Sequence, residues 1–82
     1  MKMERAFSEV ADELVKARDK FPSFNSRHEG YAVLKEEVDE LWEEIKNNTP
    51  AGTNPVETVP LSLQKEAVQT AAMALRFLMD CC

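Results

Sequence analysis

The chain has 82 residues and a net charge of −5, and 44% of its residues are hydrophobic. This length and composition indicate one small globular domain, residues 1–82, rather than a disordered chain. No apolar run is long enough to span a bilayer and no signal-peptide pattern is present, so no membrane is expected as a partner. The segment from Glu29 to Glu44 holds seven acids and one lysine. This negative field argues against nucleic acid as a partner and suits a hard cation such as Mg²⁺.

The two cysteines, Cys81 and Cys82, are adjacent. Adjacent cysteines cannot crosslink distant parts of a fold, and two alone do not form a zinc site. We therefore expect free thiols and a cytoplasmic location, since disulfides are rare in reducing compartments. A core this small often needs a metal or oligomerisation for stability.

The hydrophobic periodicity predicts an all-α fold, a small antiparallel bundle of three main helices completed by oligomerisation. The first helix is expected over about Met3–Lys20, with the phenylalanines of this segment, Phe7 and Phe21, packed in the core and charges of alternating sign on the other side. Pro22 disfavours helix at the residue before it and ends this element. Ser26 and Glu29 then have capping-box spacing, which predicts Ser26 as the N-cap of a second helix.

The second helix, His28–Lys46, carries a strong apolar stripe that predicts a buried seam. The stripe consists of Leu34, Val38, Leu41, Trp42 and Ile45. At about 100° per residue, Glu37 and Glu40 fall beside this stripe with Glu44 behind them, whereas Glu36 points toward water. Two such carboxylates repel each other, so a divalent cation or a shared proton between them is expected. A solvated helix face is the alternative interpretation of so many acids.

Residues 47–60 predict a loop rich in proline and turn formers, which is long enough to be mobile or to act as a lid. The third helix is expected over about Leu61–Met79, with Ser62 as its N-cap. It is apolar on two sides, and Met73, Phe77 and Thr70 form the second side. A helix buried on both sides implies a second protomer in a chain of three helices.

Glu66 lies on the Met73/Phe77 side of the third helix, where a buried carboxylate is costly unless something pairs with it. Lys65 and Gln69 are adjacent candidates for that role. A metal ion held together with Glu37 and Glu40 is the third candidate.

The order Glu37-x-x-Glu40, loop, Glu66 resembles the all-alpha NTP pyrophosphatase superfamily, which includes the MazG-like and dimeric dUTPase-like proteins. The segments LKEEVDELWEEI and KEAVQTAAMALRFL are similar to the phage-type MazG subgroup, as is HEGY, so that the resemblance covers roughly His28 to Asp80. The family signatures are E-x-x-E on one helix and E-x-x-D on the next. Matched to them, the resemblance implies that Glu37, Glu40 and Glu66 are ligands of Mg²⁺, with Mn²⁺ as an alternative. Gln69 stands where the family has its Asp.

The resemblance implies hydrolysis of a nucleoside triphosphate to the monophosphate and pyrophosphate by a metal-activated water, without a protein nucleophile. It also implies a homodimer or a dimer of dimers. Three residues are candidates for additional metal contacts: Glu36, which matches an acid preceding the first ligand, with Glu44 and Gln69. Four residues are candidates for phosphate or nucleotide contacts: Arg27, His28, Lys35 and Lys65.

Two further hypotheses stand beside the enzyme. The first is a MazG-like helical binding or regulatory protein with weak or no turnover, which the neutral side chain of Gln69 supports. The second is an acidic bundle whose glutamates are merely solvated. For His28, an exposed polar residue or a partner for an acid is the alternative to a ligand contact.

Overall fold

The computed structural model describes residues 1–48 and 60–82. Within these residues the chain forms three helices: α1 (Met3–Lys20), α2 (Arg27–Asn48) and α3 (Leu61–Cys81). These residues contain no strand, which confirms the all-α prediction for this part of the chain. The predicted loop begins later than expected because α2 continues through its second asparagine. The rest of it, residues 49–59, lies outside the described residues, and so does the suggested lid.

Helix α3 packs against both other helices, and α2 runs antiparallel to it. Near the start of α3, the hydroxyl of Ser62 donates to Glu44 Oε2 at 2.9 Å. Near its end, Arg27 Nε donates to the carbonyl oxygen of Cys81 at 3.2 Å. Helices α1 and α2 each contact α3 rather than each other, so an open cleft remains between them, with α3 as its floor. None of the three helices, over the residues described, is long and apolar enough to cross a bilayer.

The core is small and lies where the 21–26 segment meets α2 and α3. Its buried members are Ala17, Phe24 and Met73, with Val33, Leu34 and Phe77 packed against them. Gly30 allows the close approach of α2 to α3, because a Cβ there would lie 2.7 Å from Cδ2 of Phe77. Met73 is only 7% exposed. The Met73/Phe77 side therefore does not require a second protomer to cover it, since α2 and the 21–26 segment of the same chain do so.

The apolar stripe of α2 is only partly buried, which corrects the predicted seam. Trp42 is 55% exposed and Val38 is also exposed, whereas Leu34 is half-buried. The reason is that α2 contacts only one other helix among the described residues, and it turns the side that includes Gly30 toward that neighbour. Phe7 of α1 and Phe21 just after it are likewise exposed, so their predicted place in the core is wrong.

The two predicted helix caps have different outcomes. The Ser26 hydroxyl accepts a hydrogen bond from the Glu29 amide at 3.0 Å, which confirms the cap of α2. The Glu29 carboxylate in turn accepts from the backbone amide of Asn25 at 3.2 Å. The prediction for α3 is wrong, because Pro60 occupies the N-cap position. Ser62 thus lies inside the first turn.

A buried ion pair that the sequence did not reveal ties the end of α3 to the segment before α2. Arg76 is 5% exposed and its Nε lies 3.6 Å from Asp80 Oδ2. The guanidinium also donates to the carbonyl of Pro22 and lies 4.2 Å from the ring centre of Phe24. The amide of Phe24 donates to Asp80 Oδ2 at 3.1 Å. These bonds hold the 21–26 segment on α3 and so define one end of the cleft.

Candidate metal centre

Glu37, Glu40 and Glu66 come together where α2 faces α3. Each side chain offers one carboxylate oxygen, and these three oxygens lie within 4.8 Å of one another. Glu37 and Glu40 are neighbours because residues three apart on a helix share a face. Glu66 enters from the opposite helix and is half-buried, as is Glu37, whereas Glu40 is exposed. The three acids named from the sequence therefore form one cluster that opens to solvent on the Glu40 side.

Two oxygens of this cluster are buried without any hydrogen-bond partner, namely Oε2 of Glu37 and Oε2 of Glu66. A buried, unsatisfied carboxylate oxygen is costly, because it has lost water and gained nothing in return. Acids on a merely solvated helix face would keep their hydration. Three converging carboxylate oxygens match the ligands that Mg²⁺ and other hard cations take in proteins. The donor set thus fits a divalent cation.

Thr70 fixes the two helices relative to each other at this point. Its hydroxyl lies 2.8 Å from the carbonyl oxygen of Glu66 and 3.3 Å from the carbonyl oxygen of Glu37, and its single proton is shared between them. The backbone of Glu37 is therefore tied to the backbone of Glu66. From the sequence, Thr70 was expected only as part of an apolar face. Its position one turn after Glu66 was the available signal for a positioning role.

The electrostatics of the cluster favour an added positive charge. Burial raises the pKa of Glu37 above its ordinary value of 4.5, and the charges of Glu40 and Glu66 raise it further. Burial also raises the pKa of Glu66, followed by the charge of Glu40 and a hydrogen bond with that carboxyl group. The ammonium of Lys65 acts in the opposite direction. Without a cation, the cluster therefore holds a proton more tightly than ordinary glutamates do.

The additional candidates lie around this cluster in different ways. Glu36 is exposed, and its charge contributes to the raised pKa of Glu37. Glu44 accepts the hydroxyl of Ser62, and its charge contributes to the raised pKa of Glu66. Gln69 lines the cleft together with Glu37.

Most of the residues that were predicted to contact phosphate do not lie at the glutamate cluster. Arg27 and His28 lie at the start of α2, about 15 Å along the helix axis from Glu37. Arg27 is bonded there to the end of α3. Lys35 forms an exposed ion pair with Asp39 at 2.9 Å. Lys65 does lie close to the cluster, because it is the residue before Glu66. Its positive charge opposes the rise in the pKa of Glu66.

The cleft beside the cluster has a volume of about 550 Å³ and was not foreseen from the sequence. Helix α2 forms one wall with Glu37, and α1 forms the other. The residues of α1 and α3 that line it include Lys16, Ala17, Lys20, Gln69, Met73 and Arg76. Its volume lies within the range of about 300–1,000 Å³ that is usual for small-molecule sites. A ligand of that size could therefore lie next to Glu37.

Comparison of the chain with protein-family models, with curated proteins and with solved structures gives no significant match. The similarity to the MazG-like proteins therefore rests on the residues quoted for it above.

Proposed function

We propose that the protein is a Mg²⁺-dependent pyrophosphohydrolase that converts a nucleoside or deoxynucleoside triphosphate to the monophosphate and pyrophosphate. The observation that supports this most is the pair of buried, unpartnered oxygens of Glu37 and Glu66 beside Glu40. The choice of nucleoside triphosphates as the substrate rests on the resemblance of the second and third helices to the MazG-like proteins.

In this proposal the reaction adds one water across the bond between the α and β phosphates. The phosphorus–oxygen bond breaks, the hydroxyl joins the monophosphate, pyrophosphate leaves, and one proton goes to solvent. When bound, Mg²⁺ neutralises phosphate charge and polarises water. Glu37 and Glu66 supply the enclosed oxygens, and Thr70 holds their backbones in register. Glu40 is the exposed member, so water reaches the cluster from its side.

A second candidate is a binding or regulatory protein with the same fold and weak or no turnover. Gln69 favours it, since a neutral amide stands where the family has an anionic ligand. Such a protein would bind Mg²⁺ and nucleotide but release little pyrophosphate.

We also propose a cytoplasmic homo-oligomer, a dimer or a dimer of dimers. Exposed apolar side chains on α1 and α3, among them Phe7 and Leu78, support self-association. The free thiols of Cys81 and Cys82 are consistent with a reducing compartment.

The test is pyrophosphate release from a panel of ribo- and deoxyribonucleoside triphosphates with Mg²⁺. We expect release from at least one nucleotide and a loss of more than about 100-fold in Glu40→Gln, since even outer-shell partners of a metal contribute 10–100-fold. Glu43→Gln is the matched control, because Glu43 is paired with Lys46 on the exposed face at 2.7 Å. Nucleotide binding without release supports the second candidate. No release and no stabilisation by Mg²⁺ contradict both.

A further inference from the structure

We propose that α1 forms the substrate-binding side of this site. Lys16 and Lys20 bind the anionic phosphate chain where it extends beyond the glutamate cluster, and Phe21 packs against the flat ring of the base. The inference rests on the proposed function and deepens it, because it assigns binding groups to a helix outside the resemblance to the MazG-like proteins.

The cleft runs along α2 away from the cluster. Glu37, Val33 and Glu29 line it in succession, one helical turn apart. At 1.5 Å per residue, this wall is about 12 Å long. Such a length suits a ligand with two chemically different ends rather than a single compact ion.

The basic side chains along this cleft are Lys16, Lys20 and Arg76. Arg76 is buried and already engaged with Asp80 and the carbonyl of Pro22. Lys16 and Lys20 are exposed, and neither forms an ion pair within residues 1–48 and 60–82. They lie one turn apart on the same side of α1, so both can reach one extended anion.

The charges are distributed along the cleft in a way that suits a cation at one end and an anion beyond it. Glu13 also lines the cleft, and its charge contributes to the raised pKa of Glu37. Glu13 and Glu37 therefore form the acidic end. Glu29 lies at the other end of the α2 wall, where both of its carboxylate oxygens accept hydrogen bonds from Asn25. Lys16 and Lys20 follow in the direction of Phe21. A polyphosphate with a divalent cation at one end matches this order.

Phe21 provides an aromatic surface at the far end of the cleft. It is 50% exposed, whereas Phe24 is buried. The guanidinium of Arg76 lies 4.2 Å from the ring centre of Phe24 and 5.9 Å from that of Phe21. The Lys20 ammonium lies 5.4 Å from the Phe21 ring centre, so a cation and an aromatic face are adjacent there. Aromatic side chains stack on the flat faces of bases without requiring a particular base.

The experiment measures equilibrium binding by calorimetry with Mg²⁺ present. The probes are inorganic triphosphate and a set of nucleoside triphosphates whose α–β bridging oxygen is replaced by an imido group, which blocks hydrolysis there. The variants are Lys16→Gln, Lys20→Gln and Phe21→Leu. Lys2→Gln is the matched control, since Lys2 is an exposed lysine outside the cleft. The rise in melting temperature caused by Mg²⁺ alone is measured for every variant.

We expect Lys16→Gln and Lys20→Gln each to weaken binding of both probe types by about three- to tenfold. Phe21→Leu should weaken the nucleotide probes by about fivefold and leave inorganic triphosphate unchanged. The control should bind like the wild-type protein, and the Mg²⁺ effect on melting should persist throughout. Lysine variants that match the control overturn the inference, as does a wild-type protein that binds neither probe. These results also distinguish a failure of this inference from a failure of the proposed reaction. If only the reaction fails, the protein still binds the probes but releases no pyrophosphate.

Discussion

Glu37 of α2 lies against Glu66 of α3, and one carboxylate oxygen of each is buried without a hydrogen-bond partner. Two like charges at a helix interface oppose the packing of those helices unless a proton or a cation lies between them. Thr70 nevertheless holds the two backbones together at this point. The free energy of unfolding should therefore depend on Mg²⁺ and on pH, and both dependences can be measured without knowing the substrate.

Mg²⁺ should stabilise the protein in the absence of any nucleotide. A cation that binds only the folded state at about 100 times its Kd adds about 2.7 kcal/mol, which corresponds to a rise in melting temperature of roughly 10 °C or more for a domain of this size. Glu66→Gln should remove most of this rise, whereas Glu43→Gln should retain it. Thermal melts followed by circular dichroism with EDTA and with Mg²⁺ provide the measurement. An equal rise in both variants would place the cation elsewhere.

Without metal, the stability should fall as the pH rises above about 4.5. The pKa values of Glu37 and Glu66 are raised in the folded protein, mainly by burial. Over the range between the ordinary and the raised values, the folded chain keeps protons that the unfolded chain has lost. The stabilising contribution of these protons is complete below the ordinary value and is lost as the pH rises through the raised values.

Urea unfolding in EDTA across this pH range checks the sign. The midpoint should decrease with rising pH in the wild-type protein and should change less in Glu66→Gln. That variant should also be the more stable of the two at neutral pH, because it no longer places a second negative charge beside Glu37. If the midpoint of the wild-type protein instead changes with pH in the same way as the midpoint of Glu66→Gln, the two carboxylates are not coupled.

Gln69→Asp should increase the affinity for Mg²⁺. Gln69 lies one turn after Glu66 and lines the cleft with Glu37, so a carboxylate there adds an anionic oxygen to the donor set. The same change should lower the stability of the metal-free protein, since it adds a like charge. Titration with Mg²⁺ followed by melting temperature, together with pyrophosphate release, measures both effects. Gln69→Asn is the control, because it keeps the amide. Unchanged affinity in Gln69→Asp would remove Gln69 from the neighbourhood of the cation.

Gly30→Ala should destabilise the fold even though alanine is the better helix former. The added methyl group would lie 2.7 Å from Cδ2 of Phe77 and 3.1 Å from Cδ2 of Phe24. Overpacking of this kind costs about 1–3 kcal/mol, more than the gain of roughly 1 kcal/mol from helix propensity. Urea unfolding should show the loss, and Phe77→Leu in the same chain should recover part of it. Strictly additive effects of the two changes would mean that the side chains do not meet.

The helices and the acid cluster could be predicted because both follow from local rules. Helical periodicity gives the bounds of α1 to within a residue, and the spacing of Glu37 and Glu40 places them on one side of α2. Glu66 could be matched to them because a carboxylate on a buried side of a helix needs a partner. Such arguments need only the order of residues along each helix.

The cleft and its far end could not be predicted, because they depend on how separate helices lie in space. Arg76 and Asp80 are four residues apart, a spacing that usually indicates a solvent-exposed pair, and nothing local shows that Phe24 covers them. Similarly, the periodicity of α1 does not show that Lys16 shares a cleft with Glu37. For the same reason, the two apolar sides of α3 suggested a second protomer, although the chain's own residues cover Met73.

The chain should associate with copies of itself through its outer apolar surface. Leu75, Leu78 and Met79 lie exposed on α3, and Leu78 is 59% exposed. Exposed apolar patches are typical of interaction surfaces, which is why we propose this one as the interface. We expect light scattering to give a dimer or larger at micromolar concentration, and Leu78→Glu to shift the protein toward the monomer. Asn47→Glu adds the same charge at an exposed polar position of α2 and should not. A wild-type protein that stays monomeric across the concentration range would contradict the proposed oligomer.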